Sequence, residues 1–242
     1  MEQIKTKLRS LKLSGMVKTI ESRNQFAIEK KAPYLDFLEL LIEDEQVSRV
    51  ANSFQKRLIQ SKLHTQKDLE SFNFNYQPEL DKMLITDLAA CRFIGQKMNV
   101  IFMGKPGVGK THLANAIGLE AIKKGYKVIF LHINDLINKI NAAKAGGSII
   151  KFINTLMAAD LIILDELGFK KLPQNIIDDF FEIIRKKYEN GSLIVTTNRN
   201  FEDWHHIFGD IVMASAIIDR IIHHAKIIKI NGESFRVKNF KS

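Results

Sequence analysis

The chain has 242 residues, 45% of them hydrophobic and 26% charged, a balance that fits one sizeable globular domain or a domain with an appendage and excludes wholesale disorder. Its single cysteine, Cys91, excludes an intramolecular disulfide and a cysteine-based zinc cluster. No apolar run reaches the roughly 18–20 residues of a membrane span, and the charged N-terminus is unlike a signal peptide, so a cytoplasmic protein with no membrane partner is expected. The net charge of +9 is confined to the ends: residues 1–32 and residues 220–242 each carry +5, leaving −1 between them. Such clusters attract polyanions, or are simply a solvated basic surface.

Residues 1–64 read as helical. Leu8, Leu11, Leu13, Met16, Val17 and Ile20 recur at three- and four-residue steps among lysines. Pro33 suits the first turn of a second helix, where Tyr34, Phe37, Leu38, Leu41 and Ile42 mark one face and Glu39, Glu43, Asp44 and Glu45 fall largely off it. Residues 65–98 are a connector containing the run Phe72-Asn73-Phe74-Asn75-Tyr76. Its rings suit a strap over the neighbouring domain better than a platform for stacked bases.

From Asn99 onward strand and helix alternate. Val100–Met103, Val128–Leu131, Leu161–Leu164, Leu193–Val195 and Ile227–Ile230 are unbroken apolar runs separated by helical stretches. That pattern predicts an α/β fold with a parallel sheet covered by helices on both faces.

Gly104-Lys105-Pro106-Gly107-Val108-Gly109-Lys110-Thr111 fits G-x-x-x-x-G-K-[ST], with a strand before it and a helix after it. Glycines let successive N–H groups turn inward around phosphate oxygens, and the next helix adds its positive end. Lys110 is placed for the β- and γ-phosphates, and the Thr111 hydroxyl for Mg²⁺. Leu161-Ile162-Ile163-Leu164 then delivers Asp165 and Glu166 to the C-terminal end of a strand, where open α/β sheets bind ligands. Asp165 is expected in the Mg²⁺ shell and Glu166 beside the attacking water.

Asn198, after Thr196-Thr197, suits either a contact to the γ-phosphate, if its strand lies between the other two, or an Asx turn. Arg220 reads as a guanidinium offered to a neighbouring subunit's γ-phosphate, or as a surface cation beside Asp219. Arg185-Lys186-Lys187 and Arg236 compete for that role or for DNA. His205-His206 and His223-His224 lack the i, i+4 spacing of helical chelators, so capping, packing or phosphate contact is expected of them. Lys144-Ala145-Gly146-Gly147-Ser148 reads as a mobile loop, with tracking of a DNA backbone as the other use. No Asn-Lys-x-Asp motif is present, which disfavours a GTPase, and nothing in the sequence reads adenine directly.

With these residues in hand, the chain resembles the IstB-like family, ATP-binding helpers of insertion-sequence transposition in the AAA+ class near the DnaC helicase loaders. The resemblance rests on Leu11-Lys12-Leu13-Ser14-Gly15-Met16, the acidic helix from Leu38 to Arg49, Leu69–Phe74, Gly104–Leu113, Leu161–Gly168, Ser192–Asn198, Ala216–His224 and Gly232–Lys238. It implies an AAA+ P-loop core over residues 99–242 without a separate lid, a connector over 65–98, and a helical DNA- or partner-binding domain over 1–64. By this resemblance the stretch Gly104 to His112 contacts nucleotide, Thr111 and Asp165 hold Mg²⁺, Lys110 and Glu166 support hydrolysis, Asn198 acts as a sensor, and Arg220 is the arginine finger. It implies ATP and Mg²⁺ as cofactors, and duplex DNA, a cognate transposase and further copies of the chain as partners. The chain departs from the family pattern at Lys186-Lys187, where paired arginines are expected. A DnaC-like helicase loader is the alternative, and a small-molecule kinase is disfavoured by the Asp-Glu pair and the missing lid.

Overall fold

A computed structural model describes residues 1–235. Arg236 and the rest of the Gly232–Lys238 block after Phe235 lie outside the described residues. The chain divides into two compact units, Met1–Lys56 and Arg57–Ser242.

The first unit is helical: α1 (Glu2–Ser10), α2 (Ser14–Lys30) and most of α3 (Tyr34–Ser61). The apolar periodicity from Leu8 to Ile20 therefore belongs to two helices rather than one. The chain breaks at Leu11–Leu13, with Lys12 in the left-handed region at φ 58°. Gly15 then lets α2 approach α3, since a Cβ there would stand 2.6 Å from the Glu45 Cα. Glu45 is buried, and its Oε2 accepts the Gly15 N–H at 2.6 Å while Oε1 accepts from Arg49 at 2.7 Å. Arg49, with the Gly15 and Met16 amides, holds this carboxyl below its ordinary pKa despite burial. Beside it, Arg23 donates twice to Asp44, at 2.8 and 2.7 Å. The acids placed off the apolar face thus include two that fasten α2 to α3.

The second unit begins with the connector, a 3-10 turn at Phe74–Tyr76, α4 (Lys82–Ala89) and α5 (Arg92–Gly95). The α/β part follows as β1 (Asn99–Gly104), α6 (Lys110–Lys123), β2 (Val128–His132), α7 (Ile133–Ala145), α8 (Ile149–Met157), β3 (Leu161–Leu167), α9 (Gln174–Lys187), β4 (Ser192–Thr197), α10 (His205–Phe208), α11 (Ile211–Ile222) and β5 (Ala225–Ile230). The five strands form one parallel sheet in the order β2-β3-β4-β1-β5. Its central strands are buried on both faces, as their unbroken apolar sequences require. Helix α6 is buried at every position from Leu113 to Ile122 except Glu120. A side chain at Gly118 would meet Ile163 at 2.8 Å, so glycine brings α6 close to β3. One core region gathers Trp204, Phe180, Phe208, Ile177 and Ile217.

Two basic stretches are used structurally. Arg185 and Lys186 both pair with Glu182. Lys187 is 1% exposed, donates to the Ala159 carbonyl, and is pushed by burial down to about 8. Burial takes Lys187 out of this run as a surface cation, while Arg185 and Lys186 stay at the surface as partners of Glu182. Lys144 lies in the last turn of α7 and donates to Asp179 at 2.8 Å and to the Asn175 carbonyl at 3.0 Å, which takes it out of the loop expected there. His223 Nδ1 shares a hydrogen bond with the Tyr188 hydroxyl at 2.8 Å, and His205 Nδ1 one with the Glu202 carbonyl.

Candidate nucleotide site

Strand β1 ends at Gly104, and its loop turns back to start α6 at Lys110. Gly107 and Gly109 take φ of +82° and +98°, which only glycine adopts without strain. Each also lies under another segment: a Cβ on Gly107 would strike Ser234 Oγ at 2.1 Å, and one on Gly109 would strike the Phe72 ring at 2.6 Å. The Lys110 ammonium donates to the carbonyls of Gly104 and Lys105, both at 2.8 Å, and so sits across the loop it belongs to.

Strand β3 carries the acids in. Asp165 is fully buried. Its Oδ1 accepts from the Thr111 hydroxyl at 2.9 Å and from the Thr196 hydroxyl at 2.6 Å. His132 Nδ1, at the end of β2, stands 3.0 Å from Oδ2 but outside hydrogen-bond geometry, so Oδ2 has no hydrogen bond among the described residues. A buried carboxylate oxygen without a hydrogen bond, next to a hydroxyl on the phosphate loop, is a hard-oxygen donor set that suits Mg²⁺. Glu166 is exposed and has φ 63°. Between β3 and β4 the pairing slips, from Leu164 opposite Val195 to Leu167 opposite Thr197. This bulge turns Glu166 out of the sheet.

Strand β4 lies between β3 and β1, the condition under which Asn198 reaches the site. Asn198, Glu166 and the loop from Pro106 to His112 line one cleft of ≈ 560 Å³, within the usual range for small-molecule sites. The connector closes another wall. Phe72 packs edge-on against His112 at 5.3 Å, and Tyr76 against Phe235 at 4.6 Å. The fully buried Asn115 of α6 anchors the connector, donating to the carbonyls of His64 and Lys67 and accepting from the His64 N–H. The Phe235 N–H donates to the Gly107 carbonyl at 3.0 Å.

Arg220 is not brought to this cleft. It lies near the end of α11, donates to the Ala216 carbonyl at 2.8 Å and covers the Phe181 ring at 5.0 Å. The adjacent Ile221 carbonyl accepts from Asn99, the first residue of β1, whereas the phosphate loop follows the last. Those ends are separated by roughly 17 Å of strand. Sequence reasoning missed Thr196, His132 and Asn115. Only their partners on other segments reveal them, although Thr196 stands two residues before Asn198.

Comparison with known proteins agrees with this geometry. The family model described as IstB-like ATP binding protein matches residues 6–242. A protein named as the ATP-binding protein of insertion sequence IS5376 of Geobacillus stearothermophilus is 37% identical over 98% of this chain and 94% of its own length. A solved DNA replication initiation factor superimposes with TM-score 0.60 at 26% identity, covering 74% of this chain and 54% of that one, so this chain spans about half its length. The DnaC helicase loader gives TM-score 0.50 at 26% identity over 61% of this chain and 86% of its own. The sheet order, the phosphate loop and the paired acids are those of an AAA+ P-loop fold. With the match extending through the helical unit as well, the chain belongs to the family of IstB-like ATP-binding proteins.

Proposed function

We propose that the chain is a Mg²⁺-dependent ATPase that assembles on duplex DNA as a helper of insertion-sequence transposition, with hydrolysis ending the assembled state. The observation that carries this reading is the convergence of Lys110, Thr111, Glu166 and Asn198 on one cleft, with the buried Asp165 accepting from Thr111 behind it and Arg220 kept away from it. An incoming triphosphate competes with the Gly104 and Lys105 carbonyls for the Lys110 ammonium. Loop N–H groups and the start of α6 receive phosphate oxygens. Thr111 and Asp165 would hold Mg²⁺, which when bound neutralises charge on the β- and γ-phosphates. Glu166 orients the attacking water, and Asn198 contacts the γ-phosphate or that water. Tyr76 and Phe235 offer apolar walls for the base.

Because Arg220 stands at the other end of the sheet, it serves a neighbour's nucleotide rather than its own, which ties turnover to oligomerisation. The basic N-terminal segment supplies sequence-independent, salt-sensitive contacts to phosphates. A helicase-loader role is favoured by the likeness to the DnaC loader, but that likeness covers 61% of the chain against 98% for the insertion-sequence relative. The discriminating experiment measures ATP hydrolysis with duplex DNA, with single strands and with a replicative helicase. Stimulation by duplex supports the transposition role. Stimulation only by helicase or single strands moves the chain to the loader class.

A further inference from the structure

Thr196 is 1% exposed and stands opposite the bulge that holds both acids. Its hydroxyl has one arrangement open to it. The Glu166 N–H can only donate, and it does so to Thr196 Oγ1 at 2.9 Å. The Asp165 carboxylate accepts, and the Thr196 O–H donates to its Oδ1 at 2.6 Å. One side chain therefore ties the carboxylate at the end of β3, the left-handed turn that aims Glu166 at the cleft, and the strand that continues to Asn198. A non-glycine residue at φ 63° is held against its backbone preference, and this hydrogen bond is part of what holds it.

We propose that Thr196 is a positioning residue for ATP hydrolysis, a strut that fixes the Asp165 carboxylate and the Glu166 backbone relative to each other so that the water-orienting acid meets the γ-phosphate in register. The inference rests on the ATPase reading above. It concerns the chemical step more than nucleotide affinity, because the hydrogen bonds of the Thr196 hydroxyl go to Asp165 and Glu166 rather than to the phosphate loop.

The test compares Thr196→Val, which keeps the shape and removes the hydroxyl, with Thr196→Ser, which keeps the hydroxyl. Thr196→Val is expected to lower kcat by about tenfold or more while KM changes by less than about threefold, and Thr196→Ser to restore most of the loss. Amide hydrogen exchange at Glu166 is expected to speed up in Thr196→Val and not in Thr196→Ser, with no nucleotide present. Thr196→Ala replaces the valine variant in both measurements if valine prevents folding. Wild-type kcat and Glu166 exchange in the hydroxyl-free variant overturn the strut, as does equal loss in the serine variant. A wild-type chain that binds ATP without hydrolysing it overturns the ATPase reading instead, and the exchange measurement then decides whether Thr196 holds Glu166.

Discussion

The Thr111 hydroxyl donates to Asp165 Oδ1 across 2.9 Å, joining the first turn of α6 to the end of β3 over 54 residues of chain. That hydrogen bond spends one oxygen of the carboxylate, while the other is buried without a hydrogen bond. The pair is thus held where a divalent cation can use the second oxygen and the hydroxyl.

Asp165→Asn is therefore expected to act through the metal. With a fluorescent ATP analogue, wild type binds more tightly in Mg²⁺ than in EDTA. The variant loses about tenfold of that gain and keeps its affinity in EDTA. An undiminished Mg²⁺ effect would place the metal elsewhere.

Arg220→Ala removes a side chain that, within its own subunit, donates to the Ala216 carbonyl and covers the Phe181 ring. ATP affinity of the isolated chain should persist, while duplex-stimulated turnover falls by about 100-fold or more. Mixing it with Lys110→Ala subunits should restore some turnover, because each supplies what the other lacks. No restoration, or intact turnover in Arg220→Ala alone, moves the finger to another cation.

Phe72→Ala opens the connector wall beside Gly109 and His112. Truncating this 9% exposed ring should cost about 3 kcal/mol in denaturant unfolding and weaken nucleotide binding together. A stability loss with unchanged nucleotide affinity would separate the strap from the site.

In the first unit, Arg23 holds the Asp44 carboxyl at about 2, down from 3.8. A carboxylate depressed in the folded state contributes stability above its unfolded value and loses it as pH falls through its folded value. The stability difference between wild type and Asp44→Asn should accordingly be constant above about pH 5 and shrink from about pH 4 towards 2. A difference that persists unchanged at pH 2 would show that the ion pair is not its source.

The site's skeleton was legible because its chemistry is local. Gly104 to Thr111 needs a fixed spacing on a strand–loop–helix, and Asp165-Glu166 needs only an apolar strand that ends in acids. Relations across the chain were not legible. The apolar steps run on through Leu11–Leu13 although Lys12 turns left-handed, so periodicity alone could not find the break. Lys187 reads as a surface cation until the Ala159 carbonyl, 28 residues away, accepts from it in the core. Thr196 looks like one more β-branched residue of a strand until the bulge in β3 sets two acids against it. The strap was legible in the rings of Phe72 to Tyr76, but that Phe72 covers Gly109 and His112 shows only once α6 brings them beneath it.

Nucleotide in this cleft is expected to govern assembly on duplex DNA. The most direct test of this is the mass of the purified chain on a duplex, with and without a slowly hydrolysed ATP analogue. A large complex is expected only when nucleotide and duplex are both present, none with Lys110→Ala, and a complex that persists in ATP with Glu166→Gln. A wild-type chain that stays monomeric with both saturating, or that coats the duplex equally well without nucleotide, contradicts it.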